Sequence, residues 1–215
     1  MNVLAALDAS TLSDALGLGA IYALMAVGIG LVFGVLRLVN FAYGQLVMAG
    51  AYTLAFTSGW PVAAGIVTCF AVVIVLSLAM DRVVFRPLRG QSPAVMLVTT
   101  FAIAFLLQAV ALIVDLRNNQ LGEVAASIAP LNQAISVGGV DVRKVTIVAV
   151  VVAALALGLL LLLLTRTTIG LHTRAAAADF RTARLLGVRA NRVIAFAVLL
   201  SGVLAAIVAV LLTVQ

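Results

Sequence analysis

Six stretches of mostly apolar residues follow one another along the chain, each close to the length of a helix that crosses a lipid bilayer. Such a helix needs about 20 residues, because each residue rises about 1.5 Å across a hydrocarbon layer of about 30 Å. The stretches are 16–36, 41–57, 61–80, 94–114, 145–164 and 193–214. Only 9% of the residues are charged and 65% are hydrophobic, unlike a soluble protein. The sequence predicts an all-α polytopic membrane protein in which residues 1–215 form a single transmembrane domain.

The second stretch, 41–57, is the shortest and is rich in small and polar residues. Irregular or polar segments are tolerated at membrane depth only where protein or a water-filled cavity covers them. We therefore expect this segment to be tilted, broken or shielded from lipid by its neighbours.

Arginine and lysine residues are unevenly distributed among the loops, and the richer loops are expected to face the cytoplasm because translocating positive charge is disfavoured. Ten lie in alternate loops: Arg37, Arg82, Arg86, Arg89, Arg166, Arg174, Arg181, Arg184, Arg189 and Arg192. The loops between hold three: Arg117, Arg143 and Lys144. This asymmetry predicts a periplasmic N-terminus, a periplasmic loop at 115–144 and a cytoplasmic loop at 165–192. It also accounts for the net charge of +6 without a nucleic-acid partner.

Two local patterns lead to further expectations about structure. In the periplasmic loop, two glycines between Val137 and Val140 resemble a tight hairpin turn, which is compatible with a small β-hairpin. Pairs of small residues four apart permit close contact between membrane helices. Such pairs are Gly30 with Gly34, Ala154 with Gly158, and Gly202 with Ala206.

The cytoplasmic loop 165–192 contains a segment that favours a short amphipathic helix over 174–186. Its residues are good helix formers from Thr173 onwards, and Gly187 is suited to a left-handed C-terminal cap. On that helix the basic residues Arg174, Arg181 and Arg184 share one side. The apolar residues Ala176, Phe180 and Ala183 lie nearly opposite.

A helix of this kind, lying across the cytoplasmic face, is what a membrane subunit needs to dock onto a soluble motor and transmit its movement. The alternative is that the arginines only set the topology and contact anionic membrane lipid. The candidate coupling residues are Arg174, Asp179, Phe180, Arg181, Ala183, Arg184, Leu186, Gly187 and Arg192.

A second candidate region lies at the start of the short stretch, where polar groups are costly unless they have partners or face water. On a helix Asn40, Tyr43, Gly44 and Met48 would fall on one face, along a potential solute path. The alternative for single residues is structural, with Asn40 as a helix N-cap and Gly44 as a contact between helices. The candidate pathway residues are Asn40, Phe41, Tyr43, Gly44, Gln45 and Met48.

Motifs of catalysis are absent from the sequence. There is no G-x-x-x-x-G-K-[ST] phosphate-binding loop, so any energy from ATP must come from a partner. Neither a nucleophile elbow nor an H-E-x-x-H motif occurs, and His172 has no cysteine or carboxylate at ligand spacing. We expect no enzyme activity, no metal and no directly bound cofactor, with ATP and Mg²⁺ on a partner ATPase.

Several blocks resemble a known family, the LivH-like membrane subunits of ABC importers for branched-chain amino acids. The blocks are 17–24, 30–34, 39–45 leading to 50–52, 183–188 and 191–194. The resemblance implies a bacterial inner-membrane complex with a homologous second permease, cytoplasmic ATP-binding subunits and a periplasmic solute-binding protein. It also implies import of leucine, isoleucine or valine by alternating access, with the cytoplasmic loop coupled to the ATPases.

The solute and the mode of transport leave alternatives open. The family commonly has His and Glu where Tyr43 and Gln45 stand, so urea, short amides and other amino acids remain candidate solutes. A passive channel or facilitator for a small neutral solute, or a purely structural subunit, would fit the same residues. Relatives usually continue for further spans after Val214, so we expect a chain that is cut short at Gln215.

Overall fold

The computed structural model describes residues 9–37, 40–88, 90–118, 133–137 and 140–214. The elements are α1 (Ala9–Leu36), α2 (Tyr43–Phe56), α3 (Val62–Met80), a π-helical turn (Asp81–Phe85), α4 (Arg86–Leu88), α5 (Pro93–Asn118), β1 (Ala134–Val137), β2 (Val140–Arg143), α6 (Lys144–Arg166), α7 (Thr168–Ala178), α8 (Phe180–Leu185) and α9 (Ala190–Val214). The strands pair as an antiparallel hairpin with Val137 opposite Val140, which confirms the expected hairpin. Its turn, 138–139, and residues 119–132 lie outside the described residues.

Five helices in the described part are long and apolar enough to cross a membrane. They are Thr11–Leu36, Val62–Leu88, Ala94–Asp115, Lys144–Arg166 and Asn191–Val214. They correspond to five of the predicted stretches, and the remaining stretch, 41–57, corresponds to α2. With 14 residues, α2 is about 21 Å long, which is less than the hydrocarbon thickness of a bilayer. It packs between α3 and α9, so it is short and shielded by protein as expected.

Helix α9 is the most buried of the long helices and contacts α1, α2, α3, α6 and α7. The hydroxyl of Ser201 donates a hydrogen bond to the carbonyl of Gly28 at 2.8 Å, which joins α9 to α1. The hydroxyl of Ser77 donates to the carbonyl of Val198 at 2.9 Å, which joins α3 to α9. Both bonds are buried, where no water competes for the donor.

Small residues set how closely α9 approaches its neighbours. A Cβ atom at Gly202 would lie 2.9 Å from the Ser77 side chain, and one at Gly50 of α2 would lie 2.6 Å from Ala209. Ala206, the predicted partner of Gly202, is fully buried, so this small-residue pair is confirmed as a contact. The surface of α9 is therefore a seam along which α2 and α3 pack closely against it, with small residues at the points of contact.

The other two small-residue pairs do not hold helices at the short distances seen along α9 within the described part of the chain. A Cβ atom at Gly30 or Gly158 would meet no described atom within 4 Å, and Ala154 is exposed. At Gly34 such an atom would meet only Ala177, at 4.0 Å. Spacing places two residues on one face without saying what that face meets, and for these pairs no close approach of helices is found within the described part of the chain.

Helix α3 continues past its predicted end at residue 80, through the π-helical turn and into α4. The N–H of Arg86 donates to the carbonyl of Asp81, five residues back, instead of four. The next residue, Pro87, has no N–H and cannot continue the α-helical ladder, which explains a change of hydrogen-bond register here. The basic residues Arg82 and Arg86 thus stand on a helical extension and are exposed.

Contacts at the two ends of the bundle join residues that the sequence assigns to the same side. Val145 packs against Val214, and both belong to the predicted periplasmic end. Arg37 contacts Ala177, and both belong to the predicted cytoplasmic end. The alternation of sides inferred from the basic residues therefore agrees with the packing of the helices.

We expect Gly28→Ala to destabilise the bundle, because a Cβ atom there would lie 2.7 Å from Cζ of the buried Tyr43 ring. Overpacking of this kind costs about 1–3 kcal/mol. Gly30→Ala is the matched control, since its Cβ atom meets open space and alanine is favoured in helices. Thermal unfolding in detergent should give a lower Tm for the first variant only. An unchanged Tm for Gly28→Ala would contradict the close approach of α1 and α2.

Candidate functional site

The predicted cytoplasmic loop begins with a tight corner between α6 and α7. Thr167 caps α7, because its Oγ1 accepts a hydrogen bond from the N–H of Gly170 at 3.1 Å. The same hydroxyl donates to the carbonyl of Leu163 at 2.6 Å. A Cβ atom at Gly170 would lie 2.5 Å from the carbonyl oxygens of Leu163 and Leu164, so the corner requires glycine. It fixes the direction in which α7 leaves α6.

The predicted single helix over 174–186 is two helices that meet at Asp179. Helix α7 begins earlier than predicted, at Thr168, and ends at Ala178, while α8 is Phe180–Leu185. Asp179 has extended backbone, and its carboxylate accepts hydrogen bonds from the N–H and the hydroxyl of Thr182. The prediction of one helix is wrong because an aspartate that captures the following N–H groups favours a helix start over a helix interior.

Helix α8 ends at Leu185 and is followed by a left-handed cap at Gly187, the cap position that the sequence predicts. Gly187 has φ +88°, the left-handed conformation that glycine adopts without strain. Its N–H donates to the carbonyl of Arg184, and the N–H of Val188 donates to that of Ala183, both at 3.1 Å. These are the two hydrogen bonds of a Schellman cap. The cap turns the chain sharply towards α9.

Leu185 and Leu186 form an apolar tip at the end of α8, which we call the leucine tip. Their exposed fractions, 84% and 80%, are the highest of any large hydrophobic residue that the structure describes. Arg184 and Arg189 beside them are also exposed. Adjacent apolar side chains in such a position mark a contact surface for protein or membrane.

The remaining coupling residues divide between an exposed and a buried face, as the predicted amphipathic pattern requires. Ala183 is buried and Phe180 is half-buried against the bundle core. The exposed residues are Arg174, Arg184 and Arg192. The backbone of Arg181 belongs to α8, but its side chain lies outside the described residues.

Arg37, at the end of α1, contacts the end of α7. Its Nη2 atom donates a hydrogen bond to the carbonyl of Ala177 at 2.5 Å, across 140 residues of sequence. The last carbonyls of a helix lack partners within the helix and carry partial negative charge, so a cation is favourable there. The predicted cytoplasmic loop is thus tied to Arg37 at the end of α1, three residues before Asn40.

Asn40 lies in the turn before α2 and not on the helix. Its Oδ1 accepts from the N–H of Ala42 at 3.1 Å, and its carbonyl accepts from the N–H of Tyr43 at 3.2 Å. Asn40 is not the helix N-cap that the structural alternative supposed, because the N-cap is Ala42; its side chain forms an Asx turn that supports the chain before the helix. The prediction of one helical face shared by Asn40 and Tyr43 is wrong, because α2 begins only at Tyr43.

The other pathway residues lie in different surroundings around the start of α2. Tyr43 is buried, with its ring against Gly28 of α1. Phe41 is exposed, and its ring centroid lies 4.5 Å from that of Phe101 on α5. Gly44 is exposed, and Gln45 and Met48 are half-buried. The accessible members of the group are therefore Phe41 and the outer side of the first turns of α2.

The profile of a family described as branched-chain amino acid transport system, permease component, matches residues 11–215. The chain belongs to this family. The permease is 31% identical over 216 residues to the high-affinity branched-chain amino acid transport system permease protein BraD of Pseudomonas aeruginosa, covering 95% of this chain and 70% of the relative.

Two relatives named LivH, also high-affinity branched-chain amino acid transport system permease proteins, are similar to this permease. One is from Escherichia coli K12, 28% identical over 220 residues. The other is from Salmonella typhimurium, 28% identical over 215 residues. Each alignment covers 91% of this chain and 67% of the relative. No solved structure matches the chain significantly.

Family membership and the five apolar helices make the permease a multi-pass protein of the inner membrane. The family match includes both candidate regions, the turn at Asn40 and the loop 165–192. Two residues of interest were missed from the sequence. The sequence does contain an indication for Leu185, since this residue adjoins Leu186 just before a predicted glycine cap. It contains none for Arg37, because the hydrogen-bond partner of Arg37 is remote in the sequence.

We expect Asp179→Ala to loosen the start of α8, because Thr182 loses the acceptor of its N–H. Replacing an aspartate cap by alanine costs about 0.5–2 kcal/mol. Asp179→Asn retains an acceptor oxygen and is the matched control. Hydrogen exchange of the amides in 182–186 should be several-fold faster in the alanine variant than in the asparagine variant. Equal exchange in both would show that α8 does not depend on this cap.

Proposed function

We propose that the permease is the translocation subunit of an ATP-driven importer for leucine, isoleucine and valine. Cytoplasmic ATP-binding subunits would bind ATP and Mg²⁺ and hydrolyse the nucleotide, and a homologous second permease would complete the membrane pathway. A periplasmic solute-binding protein would deliver the amino acid. The family match supports this assignment, together with the surface formed by α7 and α8.

The observation that carries the proposal is the leucine tip, held out by the Schellman cap at Gly187. Burying one leucine side chain in a partner contributes about 1.5–3 kcal/mol, so two such residues contribute much of a docking interaction. The exposed arginines around the tip suit a partner groove with acidic residues at its rim. A groove of this kind on the ATPase would hold the end of α8.

The loop is built to pass a force on to the membrane helices. The glycine corner at Gly170 holds α7 to α6, and Ala176 and Ala183 are buried against the bundle. When ATP binding closes the ATPases, we expect the displacement of α8 to move α7 and the ends of the membrane helices that it contacts. Alternating access would follow from this movement.

The solute pathway is proposed to run along the accessible side of the start of α2, past Phe41, Gly44, Gln45 and Met48. Phe41 and Met48 offer apolar contact to a branched side chain, and the exposed backbone at Gly44 leaves room beside it. Asn40 and Tyr43 would contribute by holding this turn in place, since both are buried. The second permease would supply the opposite wall.

We expect the double substitution Leu185→Ser with Leu186→Ser to weaken association with the ATPase at least tenfold, because apolar area buried in the partner is lost. Both side chains are exposed, so the fold and the membrane insertion should be unchanged. Co-purification of the ATPase and uptake of labelled leucine in proteoliposomes measure the two effects. Leu171→Ser, at an exposed leucine of α7, is the control.

Two outcomes would contradict the proposed function. Wild-type levels of ATPase association in the double variant would remove the leucine tip from the docking surface. Solute flux without ATP, in vesicles that contain only this chain, would instead favour a passive facilitator.

We expect cysteines at Gly44 and Met48 to react with a water-soluble maleimide in the assembled transporter, and leucine to slow the reaction. Leu46→Cys, at a buried position of the same helix, should remain unlabelled. The native Cys69 is buried and provides an internal negative control. Equal labelling of positions 44 and 46, with no protection by leucine, would place the pathway elsewhere.

A further inference from the structure

Arg37 ends α1 in a conformation that side chains rarely adopt. Its φ is +56°, and it is the single residue other than glycine with positive φ in the part of the chain that the structure describes. Its N–H donates to the carbonyl of Phe33 at 2.7 Å, the hydrogen bond of a left-handed helix cap. Glycine is the usual residue there, because a Cβ atom crowds the following carbonyl oxygen. An arginine that holds this conformation suggests a use for its side chain.

That use is visible at α7, where the Arg37 guanidinium donates to the Ala177 carbonyl at 2.5 Å. Ala177 belongs to the last turn of α7, directly before the break at Asp179. The helix ends are also close, since a Cβ atom at Gly34 would lie 4.0 Å from the Cβ of Ala177. The left-handed turn therefore directs a cation to the negative end of α7.

Arg37 is also only three residues before Asn40, in the chain that leads from α1 into α2. Asn40 is buried, and its backbone carbonyl accepts a hydrogen bond from the N–H of Tyr43. The ring of Tyr43 in turn packs against Gly28 of α1. One hydrogen bond therefore joins the end of α7 to Arg37, and the covalent chain joins Arg37 to the buried turn at Asn40 through residues 38–39, which lie outside the described residues.

We infer that Arg37 is a positioning residue that couples the movement of α7 and α8 to the turn at the start of α2. This inference rests on the proposed function, because it assumes that an ATPase displaces the loop. In this arrangement α7 pulls on the end of α1 through the Arg37 bond, and the turn at Asn40 moves with it. The residues along the proposed pathway then change position although none of them touches the ATPase.

The first test is Arg37→Gly in the complex with its ATPases. Glycine suits a positive φ, so we expect folding, assembly and basal ATP hydrolysis to be retained. Leucine uptake per ATP hydrolysed should fall at least fivefold, because the link to α7 is lost. Arg82→Gln, at an exposed arginine of the π-helical turn, removes one charge from the same predicted side and should leave this ratio unchanged.

The second test replaces the lost hydrogen bond by a covalent one. Cysteines at Gly34 and Ala177 would have Cβ atoms about 4 Å apart, within the range of a disulfide. In the triple variant Arg37→Gly, Gly34→Cys, Ala177→Cys, oxidation should restore uptake per ATP, and reduction should abolish it again. A role of Arg37 in folding or topology alone would not respond to this reversible bond.

Two results would overturn the inference while leaving the proposed function intact. One is an Arg37→Gly variant that retains the wild-type ratio of uptake to hydrolysis. The other is a triple variant whose uptake stays low or falls further on oxidation. Failure of the proposed function gives a different result: the wild-type permease itself would not associate with the ATPases.

Discussion

Close backbone contact along α9 is the interaction on which the rest of the structure depends. Within a bilayer, lipid tails solvate apolar side chains as well as other helices do, so association needs intimate packing and buried hydrogen bonds. The bond from Ser201 to Gly28 and the bond from Ser77 to Val198 provide these at one level of the bundle. The contact of Gly50 with Ala209 continues the seam towards the C-terminal end of α9.

This seam explains why a helix as short as α2 can have a fixed place. It is too short to cross the bilayer alone, and the close approach at Gly50 and the packing of Tyr43 on Gly28 hold it between longer helices. The start of α2 therefore has a fixed position, directly after the turn at Asn40. In the coupling that we propose through Arg37, a displacement at the end of α1 would reach this turn along the covalent chain.

The sequence was sufficient to predict features that depend on composition and local chemistry. The long helices follow from runs of apolar residues, the cap at Gly187 follows from glycine's tolerance of positive φ, and the hairpin follows from a glycine pair between two valines. The break at Asp179 also has a local cause, because there the capping side chain outweighs the helix propensity of the surrounding residues. The correct balance depended on whether Thr182 lay within reach of the carboxylate.

Features that depend on remote partners could not be predicted in the same way. Gly30 and Gly202 look alike in sequence, yet one meets open space and the other meets Ser77. The sequence indicates only a loop cation at Arg37, because nothing nearby in the sequence reveals its bond to Ala177. Among the candidate pathway residues, the exposure of Phe41 and the burial of Tyr43 depend on where α2 begins, which the helical pattern of the sequence does not determine.

Side-specific labelling of a single cysteine at Leu186 tests the central claim most directly, which is that the leucine tip lies on the cytoplasmic side and contacts a motor subunit. We predict that an impermeant maleimide labels it in inverted membrane vesicles but not in intact spheroplasts. Addition of the ATPase should then protect it. Labelling from the periplasmic side would contradict the orientation and the proposed coupling.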